Sequence, residues 1–144
     1  MGRTRHVRGV RGLPAALVVV VGLLVGLGAC GDDGGPDASV ELSEAGKRGQ
    51  TTASDAGCTA CHTADGGRST GPTWKDLAGS EVELDGGETL TADDDYLTRA
   101  IVDPRSQVVA GYANIMPTYG DRLDDDEVAD IVAYLRDLST HTRR

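Results

Sequence analysis

Cys58-Thr59-Ala60-Cys61-His62 sets two thiols three positions apart and an imidazole directly after the second. That spacing predicts a covalent attachment site for c-type haem. The two sulfurs would add across the porphyrin vinyl groups, and the adjacent imidazole would then fall against one face of the iron. One short segment would thus fix the cofactor's position, its orientation and its first axial ligand. A bare C-x-x-C is also half of a zinc site or a thioredoxin-type redox pair. Zinc would need further sulfur or nitrogen, and the other Cys and His of the chain are Cys30, His6 and His141, all near its ends. A redox pair is expected beside a strand-helix-strand pattern, and none surrounds residues 58–62.

A second ligand to low-spin haem iron is commonly Met or His. Apart from the initiator, Met116 is the only methionine; it stands in Asn114-Ile115-Met116-Pro117, inside an irregular stretch (104–120) rich in Val, Gly and Tyr. The alternative, His141, lies in a polar tail three residues from the end, where a solvated side chain is expected. Met116 is therefore the expected distal ligand, and a thioether raises the reduction potential relative to a second imidazole. On the other face, a metal-bound histidine usually donates its second ring N–H to a carbonyl or carboxylate. Pro72, in the turn-rich segment after His62, offers a rigid carbonyl and is the expected acceptor. Trp74 and Leu77 follow at helical spacing and are expected to line the cofactor pocket.

The elements that must hold these groups can be read in outline. Residues 40–54 suggest a helix weakened by Gly46 and Gly49, unless Gly49 marks a close crossing with the last helix. Val82–Leu84 and Thr89–Thr91 flank Asp85-Gly86-Gly87-Glu88, a small hairpin expected to be a satellite loop, to which no chemistry is assigned. Thr91 can cap a helix whose first turn carries Asp93, Asp94 and Asp95, and Pro104 stops it. Asp124, with Glu127 three residues on, has the form of a capping box. It opens a last helix with a buried stripe of Val128, Ile131, Val132, Leu135 and Leu138. Ala129, Ala133 and Tyr134 lie beside that stripe and suit a crossing against Gly49. The run of aspartates at 124–126 is a cap and a solvated face.

The chain has 144 residues, a net charge of −9, no Phe, one Trp and four Tyr. A purely protein core would be poor in large apolar groups, and a buried porphyrin would supply what is missing. Arg3, Arg5, Arg8 and Arg11 precede an apolar run from Leu13 to Leu27, too short for a comfortable spanning helix and laid out as a secretory signal. Leu27-Gly28-Ala29-Cys30 resembles the lipobox of bacterial lipoproteins, in which the Cys is acylated. The expected organisation is a signal peptide over 1–29, a lipid anchor and flexible linker over 30–43, one domain over 44–140 and a polar tail over 141–144. A dozen such linker residues would span about 20 Å as a coil. Cleavage before Cys30 would remove four Arg and no acidic residue, leaving a still more acidic protein. Such a surface argues against nucleic acid and suits a partner with a basic docking face.

The ordered set of motifs resembles a class I cytochrome c, and most closely the cytochrome c domain fused to subunit II of some bacterial haem–copper oxidases. It comprises Gly57 to His62, Gly71-Pro72-Thr73-Trp74-Lys75-Asp76-Leu77-Ala78-Gly79, and Tyr96-Leu97 with Pro104. It continues through Val108-Val109-Ala110-Gly111-Tyr112 and Met116-Pro117 with Tyr119 to Tyr134-Leu135-Arg136, covering roughly residues 44 to 138. The resemblance implies an all-α fold of three to five helices around one haem c bound through Cys58 and Cys61. His62 would be proximal, Met116 distal, the Pro72 carbonyl behind His62, and Trp74 and Tyr112 in the haem pocket. An aromatic usual in the first helix is replaced around Ala53, which would leave the helix crossing thinner. Neither the cysteines nor the length for a copper domain and membrane helices are present, so a free-standing, lipid-anchored domain is expected at the extracytoplasmic face of a bacterial membrane. Its implied task is single-electron transfer between respiratory-chain components, ending at a terminal oxidase, with a quinol-oxidising complex as the other natural partner and no small-molecule substrate. Were Met116 not a ligand, the open position would suit a gas sensor or a peroxidase-like protein. Were Cys58 and Cys61 free of haem, an exported thiol protein would remain.

Overall fold

The structure is a computed structural model and describes residues 40–139. The expected signal peptide, Cys30, most of the linker, His141 and the polar tail lie outside the described residues. Three α-helices, α1 (Glu44–Asp55), α2 (Asp94–Val102) and α3 (Asp125–Asp137), are joined by loops. The loops carry two short 3-10 turns, at Cys58–Ala60 and Pro104–Ser106, and an antiparallel ribbon of β1 (Glu81–Glu83) and β2 (Thr89–Thr91). No helix among the described residues is long and apolar enough to cross a membrane.

Helix α1 begins at Glu44 and not at residue 40, because the Ser43 side chain caps it by accepting from the Gly46 amide at 3.0 Å. Its main packing partner is α3. At Gly49 the two backbones nearly touch: a Cβ there would collide with the Asp130 carbonyl and lie 2.8 Å from the Ile131 nitrogen. Glycine is thus not a helix breaker here but the condition for the crossing, where the nearest atoms of α3 belong to the Asp130–Ile131 backbone. Ala53, fully buried, continues the small contact face, so its size lets the helices close up where a thinner crossing was expected. Two polar clamps hold the pair together. Arg48 grips Asp130 through two bonds of 2.7 and 2.6 Å, and the Ser43 amide and hydroxyl both donate to Asp137 Oδ2.

Helix α3 opens with the expected capping box, Asp124 and Glu127 each accepting from the other's backbone amide. Val128, Ile131, Val132 and Leu135 are buried, Leu138 is half-buried, and Tyr134 joins the core. Helix α2 is capped by Asp93, which accepts from the Tyr96 amide, and not by Thr91. Thr91 is still paired with Glu81 in the ribbon, so the chain cannot turn into a helix until two residues later.

Two further expectations need correction. Trp74 and Leu77 do not lie on a helix; the Leu77 amide closes a turn onto the Trp74 carbonyl at 3.2 Å. The ribbon is not a satellite, because Val82 and Leu84 belong to the core. The Ala110 amide donates to the Glu83 carbonyl and the Asp85 amide to the Val108 carbonyl, so the ribbon braces the loop that leads to Met116.

Candidate haem-binding site

The 3-10 turn after α1 folds Cys58–His62 back on itself, with the Cys61 and His62 amides both donating to the Cys58 carbonyl, at 3.1 and 3.0 Å. The two cysteines and the imidazole therefore face one cavity. It has a volume of about 550 Å³, within the range of roughly 300–1,000 Å³ typical of cofactor pockets. Every residue expected at the site within 40–139 borders it: Cys58, Cys61, His62, Pro72, Trp74, Tyr112 and Met116. Cys61 is exposed and Cys58 half-buried, and no disulfide joins them. Burial pushes the Cys58 thiol up from its ordinary pKa.

His62 is oriented from three sides. Its Nδ1 lies 2.7 Å from the Pro72 carbonyl; a carbonyl can only accept, so Nδ1 carries the proton and Nε2 keeps its lone pair. The ring stacks on Trp74, with centroids 5.3 Å apart and planes 13° from parallel, and Trp74 in turn meets Tyr134 edge-on. Against the ring lies Gly71, where a Cβ would stand 2.6 Å from the His62 Cε1 and 2.9 Å from Nδ1. Burial lowers the pKa of His62, and the Pro72 bond opposes this only in part. A neutral imidazole with one free nitrogen is the form that binds metal.

Met116 stands on the loop closed by the ribbon, half-buried and packed against the core, while its neighbour Ile115 is 63% exposed. Gln107 also borders the cavity, and its Oε1 is the buried side-chain oxygen without a hydrogen-bond partner among the described residues. A polar group on the edge of a bound cofactor would relieve that cost. Two thiols, a preset imidazole nitrogen, a thioether and a largely apolar cavity with one orphaned polar atom form a donor set and a cradle that fit haem c.

Gly71 and Tyr119 had no role assigned from sequence. Tyr119 is 5% exposed, and its hydroxyl donates to the Ala56 carbonyl at 3.2 Å, just ahead of the Cys58 turn. The signal for it was present, since a tyrosine three residues past Met116 carries a hydroxyl that burial would force to find a partner.

The family model described as Cytochrome c matches residues 46–139. Among solved structures, cytochrome cH from Methylobacterium extorquens matches with a TM-score of 0.47 and 27% identity, over 63% of this chain and 96% of that one. No curated relative matches. The chain belongs to the cytochrome c family. Its described residues have the class I fold, with three helices and a small ribbon; the protein carries covalently bound haem c and is an electron-transfer protein, not an enzyme.

Proposed function

We propose that this member of the cytochrome c family is a monohaem carrier held at the extracytoplasmic face of a bacterial membrane by a lipid on Cys30. In this reading Cys58 and Cys61 bind the haem, His62 and Met116 are its axial ligands, and single electrons pass to a terminal oxidase. The observation that carries the ligand assignment is the 2.7 Å contact of His62 Nδ1 with Pro72, which leaves Nε2 free toward the cavity that Met116 also borders. Bound haem supplies a one-electron couple. The chain's own residues bind and orient it: Pro72 and Gly71 fix the imidazole, Trp74 and Tyr112 wall the pocket, and the braced loop presents the thioether. The anchor and its membrane face rest on the basic start, the apolar run and Leu27 to Cys30. The choice of an oxidase rests on the resemblance to the oxidase-fused domain.

The test is Met116→Ala in the full chain. It is expected to retain covalent haem but to lose the weak far-red ferric band that marks thioether ligation. It should also lower the reduction potential and bind added carbon monoxide or cyanide readily. A variant that kept the wild-type spectrum and potential would show that another residue fills the distal position. A wild-type protein that already bound such ligands would favour the gas-sensor or peroxidase-like alternative.

A further inference from the structure

We infer that Arg122 is a potential-setting residue, its cation fixed over the Tyr119 ring at the Cys58 end of the cavity so that it favours the reduced cofactor. This rests on the proposed electron-transfer role. Tyr119 is held at both ends. Its hydroxyl donates to the Ala56 carbonyl at 3.2 Å, and its own carbonyl accepts from the Arg122 and Leu123 amides at 2.9 and 3.0 Å. That turn folds the Arg122 side chain back across the ring, with the guanidinium carbon 4.8 Å from the centroid, inside the roughly 6 Å reach of a cation–π contact. Tyr119 and Cys58 border the same cavity, so the ring that carries the cation is part of the wall that also holds the cofactor's attachment point.

Arg122 is exposed, yet the ring and the turn keep it from wandering. Reduction adds one electron to the haem iron, and a fixed cation stabilises the more negative state. The chain as a whole is acidic, with a net charge of −9, so its average field favours the oxidised form. Arg122 opposes that field from beside the cavity wall formed by Tyr119. It is a positioning charge and touches no reacting atom.

The test compares wild-type holoprotein with Arg122→Gln and Arg122→Lys by redox titration at low and high ionic strength, with the far-red ferric band recorded for each. Arg122→Gln is expected to shift the exchange equilibrium with a reference couple several-fold toward the oxidised form at low ionic strength. Arg122→Lys should remain near wild type, and the gap should narrow with salt, because screening acts on an exposed charge. The band should persist in all three. An unchanged equilibrium in Arg122→Gln, or an equal fall in Arg122→Lys, would overturn the inference. So would loss of the band in Arg122→Gln alone, since the residue would then act by holding Met116. A wild-type protein lacking the band would instead overturn the Met116 assignment and leave the charge comparison intact.

Discussion

Gly71 matters through the side chain it lacks. The His62 ring lies flat against it, so even a methyl group would have to push the imidazole off the Pro72 carbonyl. Gly71→Ala is expected to keep haem on Cys58 and Cys61 but to raise the high-spin fraction of the ferric spectrum. It should also cost about 1–3 kcal/mol of stability, as overpacking commonly does. An unaltered spectrum would mean that the imidazole is not held by this contact. The contrast with its neighbours shows what a sequence can reveal at this scale. Cys58, Cys61 and His62 are legible because their spacing is itself the chemistry. Pro72 is legible because a bound histidine needs an acceptor, and Met116 because few other residues could serve. Gly71 reads as half of a Gly-Pro turn, since its contact with His62 arises only once the chain has closed on itself.

Helix ends are written locally, but helix crossings are not, and the elements divide along that line. The Asp124–Glu127 box could be located from four consecutive residues. The start of α2 could not, because Thr91 and Asp93 are both able caps and the choice falls to the ribbon that still holds Thr91. The turn at Trp74–Leu77 was misread for a related reason: a three-residue interval fits a helix or a single closed turn. Gly49 shows the same limit, since only the α3 backbone behind it separates a weak helix from a close crossing. Gly49→Val should force α1 and α3 apart while the Arg48–Asp130 and Ser43–Asp137 clamps resist. A loss of roughly 1–3 kcal/mol or more is expected, read as a lower denaturation midpoint with haem still attached. An unshifted midpoint would mean that the crossing tolerates a side chain.

At the scale of the molecule, the cofactor is part of the core. The buried set contains Trp74, Tyr96, Tyr119 and Tyr134 but no Phe, and Trp74, Tyr96 and Tyr119 border the cavity instead of filling it. The absence of Phe pointed to this arrangement, although the walls themselves come from every element and could not be assigned from sequence. At about 24 cal/mol per Å³, leaving a cavity of about 550 Å³ unfilled would cost at most about 13 kcal/mol. That is comparable with the roughly 5–15 kcal/mol by which a whole domain is stable. The α1–α3 pair has its own packing and clamps, whereas α2, the ribbon and the Met116 loop all line the cavity. A Cys58→Ser/Cys61→Ser variant produced without haem is therefore expected to lose cooperative thermal unfolding and near-ultraviolet signal while keeping part of its far-ultraviolet helical signal. A sharp transition near that of the holoprotein would show that the polypeptide packs without its cofactor.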